Sequence, residues 1–293
     1  MHRKFLSALV GCTLLFTAAF PANTALAASK YQFVKLGYNS KEQKTIGKYT
    51  FKMKDGKVLL VSSKNKTTKT QMNYNAFLAG DSDALYIKSG VLYRYTYKTG
   101  KSKKLHKFPL GKKLWYGYAN DYSIGGIVDN KVFVNCTDET DETDALVSKY
   151  VLLYDLKSGS VKKSTGSGSR YISESKNGYG VALSSTANDP SPYPIYLYKM
   201  TTSGMTLIKK LAAWGHGGHI VSNKVYYFED TDTKYSLKSY DVKSHKTVTI
   251  KSIAKSKYEL IFPGEITDTY SIYNSNKGIF KIIYKNGKVT KMS

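Results

Sequence analysis

The chain has 293 residues, with 45 lysines and arginines against 21 acids and a formal charge of +24. Arg3, Arg94 and Arg170 are the only arginines, so the charge is a lysine charge and argues against nucleic acid, whose readers lean on bidentate arginine contacts. Two cysteines exclude a disulfide-stapled scaffold, which leaves the core to supply the stability.

In chain order, His2-Arg3-Lys4 precedes an apolar run from Phe5 to Phe20, and Ala25-Leu26-Ala27 supplies a small-x-small cleavage pattern. The expectation is an export signal over 1–27 and a single mature domain over 28–293, secreted or cell-wall associated in a bacterium. Leu9-Val10-Gly11-Cys12 also matches the lipobox at which a lipoprotein is cleaved and acylated, but the apolar run continues well past Cys12. No later run reaches the roughly 18 apolar residues of a membrane span. Cys136 is then the only cysteine, and the alternating stretch Lys131 to Cys136 makes it a half-buried strand residue rather than a nucleophile.

Next come the repeats. Tyrosine-rich apolar runs break at Lys54-Asp55-Gly56, Lys98-Thr99-Gly100, Lys157-Ser158-Gly159, Thr202-Ser203-Gly204, Lys243-Ser244-His245 and Lys285-Asn286-Gly287, and resume as lysine-studded runs. The recurrence, every 41 to 59 residues with several short strands between, predicts an all-β propeller of four-stranded antiparallel sheets. Six turns give six blades; five with an added N-terminal element is the alternative, because Lys54-Asp55-Gly56 also reads as an inner turn. The cleanest unit has strands over Arg170–Ser175, Tyr179–Ser185, Ile195–Met200 and Met205–Leu211, with a proline-rich loop Ala187–Pro194 inside it. A monomer is expected.

Two of the cassettes, Tyr93-Arg-Tyr-Thr-Tyr-Lys-Thr-Gly-Lys-Ser-Lys-Lys-Leu105 and Tyr150-Val-Leu-Leu-Tyr-Asp-Leu-Lys-Ser-Gly-Ser-Val-Lys-Lys163, resemble the strand-turn-strand repeat of bacterial TolB-type and YWTD-type propellers. The resemblance is one of repeat texture: the aspartate is present at Asp155 and Asp241 but replaced at Thr96 and Tyr284, and no full YWTD tetrapeptide occurs. It implies a binding platform, or in some members a lyase or hydrolase.

In such a blade the loop between the second and third strands and the link to the next blade open on one face. That face is expected to gather Trp115, Tyr116, Tyr118, Asp121, Tyr193, Trp214, His216, His219, Glu229 and Asp230 as a ligand-binding surface. The acidic run Asp138, Glu139, Asp141, Glu142 and Asp144 fills the longest interval; it is either a solvated loop or a Ca²⁺ site, though it lacks the spacing and glycine of an EF-hand. No other cofactor is indicated. His216 and His219, read as a glycine-rich turn, are either scaffold or the base and acid of a polysaccharide lyase.

Three functions follow as expectations: an exported, non-enzymatic propeller that binds an anionic wall polymer, a polysaccharide or a protein partner; a lyase or glycoside-active propeller using His216 and His219; or a Ca²⁺-stabilised structural module.

Overall fold

A computed structural model of the protein describes residues 30–36, 43–54, 57–70, 72, 76–111, 121–139, 146–184, 193–256 and 260–292. The fold is a β-propeller. Among the described residues there is no helix, and every strand pairing is antiparallel. After β1 (Gln32–Val34), the first unit is β2 (Gln43–Ile46), β3 (Tyr49–Lys54), β4 (Lys57–Ser62) and β5 (Thr67–Lys69). The second is β6 (Phe77–Ala79), β7 (Asp83–Lys88), β8 (Val91–Thr96) and β9 (Lys101–Lys107); the third is β10 (Asp121–Val128), β11 (Lys131–Glu139), β12 (Leu146–Asp155) and β13 (Val161–Lys163). The fourth takes β14 (Tyr171–Lys176), β15 (Tyr179–Leu183), β16 (Tyr193–Met200) and the first half of β17 (Met205–Val221). The second half of β17 begins the fifth unit, with β18 (Lys224–Asp230), β19 (Lys234–Asp241) and β20 (Thr247–Ala254), and β21 (Leu260–Ile266), β22 (Tyr270–Ser275), β23 (Gly278–Ile283) and β24 (Val289–Lys291) make the sixth. β1 adds to the inner edge of the second unit by pairing with β6, and it also packs on β10 and β14.

The strand periodicity explains why the units stack. Side chains alternate between faces every residue, so a strand sandwiched between neighbours must be apolar on both. In β11, Val132 and Val134 enter the apolar cluster shared with the second unit, while Phe133 between them enters the cluster shared with the fourth. The same alternation gives one apolar cluster for each successive pair of units: Phe51 with Phe77, Leu85 with Ile124, Leu153 with Tyr198, Leu197 with Tyr227, and Leu237 with Tyr273. Cys136 is fully buried in the second of these, and burial pushes its thiol pKa up, as expected of an unreactive strand residue.

Within a unit, the last residue of the third strand or the one after it donates its N–H to a carbonyl of the turn between strands one and two: Tyr97 to Ser82, Leu156 to Asn130, Met200 to Gly178, Val242 to Asn223 and Tyr284 to Thr269. These bonds put both kinds of turn on one face of the disc, the turn face, and leave the longer loops on the other. Five of the six repeat turns lie there. The first is not among them: β3 and β4 pair from Lys54 and Lys57 as second and third strands. Residues 55 and 56 themselves lie outside the described set.

The expected turn over 214–219 is strand instead, as are the last two residues of the expected loop 187–194, whose earlier residues lie outside the described set. β16 already begins at Tyr193, and β17 runs unbroken through 214–219. The glycines there serve close approach rather than a turn. A Cβ on Gly215 would stand 2.4 Å from the Phe228 carbonyl oxygen, and Gly217 at φ +67 makes the bulge between His216 and His219.

Asn135 on β11 stitches the third unit to the fourth. Its side-chain amide donates to the Ile172 carbonyl at 3.0 Å and its Oδ1 accepts from the Ile172 N–H at 2.9 Å, with Asn135 wholly buried. Asn135→Ala leaves both backbone groups buried and unpaired, an expected loss of about 2–4 kcal/mol. Equilibrium urea unfolding checks it; a loss under about 1 kcal/mol contradicts the stitch.

Candidate functional site

On the loop face, β16 and β17 pair Tyr193 with Gly215, and β17 and β18 pair Gly215 with Glu229 and His216 with Phe228. Tyr193, Trp214, His216, Glu229 and Asp230 therefore lie on neighbouring stretches of β16, β17 and β18. Trp214 is 48% exposed, at the point where β17 leaves one unit and enters the next. The two acids are already matched: Glu229 pairs with Lys238, and Asp230 has Lys255 at 2.8 Å and the His216 Nε2 at 3.8 Å. Burial lowers the pKa of His216, Asp230 opposes the shift and Lys255 adds to it; His216 is a neutral imidazole at pH 7. Asp121 opens β10 and its Oδ1 accepts from the Tyr122 N–H at 2.8 Å. Trp115, Tyr116 and Tyr118 lie outside the described residues, as do Asp141, Glu142 and Asp144. Of the acidic run, Asp138 pairs with Lys149 at 2.8 Å and Glu139 ends β11. Among the described residues no three His, Cys, Asp or Glu side chains group as metal ligands.

His219 does not join His216. The bulge carries it on towards the turn face, where it sits between carboxylates from two other units: Nδ1 is 2.9 Å from Glu174 Oε2 on β14, and Nε2 is 2.8 Å from Asp268 Oδ1 in the turn after β21. The other Glu174 oxygen accepts the Ile220 N–H at 2.8 Å. Lys176 Nζ lies 3.9 Å from Asp268, and Lys44 on β2 adds its charge to the same carboxylate. One imidazole thus ties the fourth, fifth and sixth units together, and the first unit comes within electrostatic reach.

A ring with a carboxylate at each nitrogen is best satisfied as an imidazolium donating two hydrogen bonds. Burial works against that charge, but the bonds and charges of Glu174 and Asp268 outweigh it and raise the His219 pKa. Burial would raise Asp268, yet His219, Lys176 and Lys44 together hold its carboxyl below the usual value. Such a cation orients and clamps; it has no lone pair with which to take a proton from a substrate.

Sequence reading singled out His219 but missed Glu174, Lys176 and Asp268. A signal existed for the first. Glu174 and His219 each stand three residues before a turn residue at φ 53, Asn177 and Ser222, and each follows a bulge in the inner strand. Superposing the repeats on those inner turns places the two residues at one position of adjacent strands.

No protein-family model matches this chain, and no curated protein matches it. Solved structures similar to it include dipeptidyl peptidase 4 of Porphyromonas gingivalis, at 10% identity and a TM-score of 0.48 over 86% of this chain and 44% of that one. TolB of Acinetobacter baumannii is similar at 10% identity and a TM-score of 0.40, over 80% of this chain and 61% of that one. The Dos1 propeller is similar at 12% and 0.45, over 84% and 68%. The chain thus spans less than two thirds of the first two structures, and the likeness is one of fold.

The linkage sign of the clamp is set by the raised His219 pKa. Its contribution to stability is complete below the unfolded value near 6.5 and is lost as pH rises through the folded value. Asp268, depressed, contributes above the unfolded value of 3.8 and loses its contribution as pH falls through the folded one. His219→Gln is expected to cost about 1–3 kcal/mol at pH 6 and progressively less towards pH 9. Urea midpoints of both proteins across that range check it; a cost that does not shrink with pH contradicts the charged clamp.

Proposed function

We propose that this protein is an exported propeller, not a catalyst, and that it holds an anionic polymer of the cell envelope on a lysine rim. One observation carries the reading. The fourth, outermost strand of every described unit bears lysine and none bears a carboxylate: Lys69 on β5, Lys101, Lys103, Lys104 and Lys107 on β9, Lys162 and Lys163 on β13, Lys210 on β17, Lys251 on β20 and Lys291 on β24. All are exposed, and among the described residues no ion pair holds any of them.

The acids that do form ion pairs among the described residues are held by other partners, among them Lys131, Lys149, Lys238, Lys255 and the histidine clamp. Two rim ammoniums also rest on tyrosine rings, Lys163 over Tyr150 at 5.1 Å and Lys210 over Tyr196 at 5.9 Å, which lays the stem along the sheet. The rim also blunts edge-to-edge pairing of the outer strands. The four lysines of β9, all exposed, form the largest group of charges on the outer strands and suit a long, multivalent polyanion.

The mature chain is expected to be retained on isolated cell walls at about 0.05 M salt and released by about 0.5 M, where the Debye length is well under 10 Å. Replacing Lys101, Lys103, Lys104 and Lys107 with glutamine is expected to move release to lower salt. Retention that ignores salt, or that survives removal of the anionic wall polymers, contradicts the reading.

A further inference from the structure

A cleft of about 560 Å³ opens on the turn face between the fifth and sixth units, beside the histidine clamp. The fifth unit contributes Lys224 and Tyr226 from the start of β18; the sixth contributes Asp268 and Thr269 from one turn and Tyr284 and Lys285 from the next. The Tyr226 and Tyr284 rings are stacked at 4.0 Å and 9°, so the wall between the units is a rigid aromatic slab. The Tyr284 hydroxyl is bonded to the Ser271 hydroxyl at 2.8 Å, which fixes that ring further.

Around the slab stand polar groups that the fold leaves unspent. Asp268 meets His219 and Lys176 through Oδ1, and its Oδ2 has no partner among the described residues. The side-chain hydroxyl of Thr269 has none there either, since the turn uses only its backbone. Lys224 and Lys285 are exposed and in no ion pair among the described residues, although Lys224 stands opposite Asp241 on β19 and its charge helps hold that carboxyl's pKa down. An acceptor held in its ionised form, a hydroxyl and two ammoniums thus converge on an apolar aromatic surface.

We propose that this cleft binds a polyhydroxylated unit bearing one negative group, as found in a sugar acid or a polyol phosphate. Carbon-bound hydrogens of the unit lie on the tyrosine slab, hydroxyls donate to Asp268 Oδ2 and exchange bonds with Thr269, and the anionic group sits between Lys224 and Lys285. The carboxylate selects for hydroxyls and against a bare anion; the lysines select against a neutral sugar. The cleft is separate from the rim, and its chemistry does not depend on what the rim holds.

The test is amide-shift titration of the full mature chain with galacturonate and with glycerol 3-phosphate, beside galactose, glycerol and inorganic phosphate. Saturable shifts centred on Thr269 and Lys285 are expected with galacturonate or with glycerol 3-phosphate. Saturation by galacturonate alone assigns the sugar-acid source and by glycerol 3-phosphate alone the polyol-phosphate source. The neutral parents and free phosphate should bind at least tenfold more weakly, and Lys224→Ala with Lys285→Ala should lose at least tenfold while keeping the wild-type melt. No saturable shift with either charged unit, equal binding of the neutral parents, or an unaffected double variant overturns the proposal. Because rim binding is read on cell walls and cleft binding on small units, either can fail while the other stands.

Discussion

A stack of sheets in which every inner strand is covered on both faces has almost no place for charge, and this chain carries +24. That constraint arranges the rest. Burial of an unpaired ion costs far more than any packing gain returns, so among the described residues no lysine is buried, and lysine studs the outermost strands and the turns. Those are the positions where one flank of the sheet is open. The interior strands are left to Val, Leu, Ile, Phe and Tyr, alternating between two apolar clusters at a time.

Where polar groups do enter the inner strands, the two best-defined clusters arrive with their partners. Asn135 replaces a missing strand neighbour for Ile172, and buried Asp83 takes the Tyr31 hydroxyl at 2.8 Å and the Arg94 guanidinium at 3.3 Å. That cluster anchors the residue next to β1, whose pairing with β6 puts it towards the middle of the disc. The Glu174–His219–Asp268 clamp follows the same rule on a larger scale, since it spends one cation on two carboxylates from different units. The apolar clusters join neighbours two at a time; the clamp reaches across three.

The period of the repeat was legible in the sequence because turn chemistry is local. Glycine, asparagine and a positive φ are needed wherever a hairpin closes, at Asn177, Gly100, Gly159 and Gly287 among others, and so the strands of the third, fourth and fifth units fall within a few residues of their expected places. What was not legible depends on distance. Gly215 and Gly217 look like turn formers until a Cβ on Gly215 would stand 2.4 Å from the Phe228 carbonyl oxygen and a bulge needs φ +67. Likewise, the pairing of Tyr193 with Gly215, between Trp214 and His216, follows from adjacent strands, but the partners of His219 stand 45 residues back and 49 residues ahead. No local pattern encodes that meeting; it comes from the order in which units pack.

The charged clamp is where this principle is most exposed, because it asserts that a largely buried imidazole is a cation. Nitrogen NMR of the His219 ring measures that directly. A midpoint above the ordinary value of 6.5, with both ring nitrogens protonated below it, is the result the structure predicts. A midpoint at or below 6.5, or a single protonated nitrogen throughout, contradicts it.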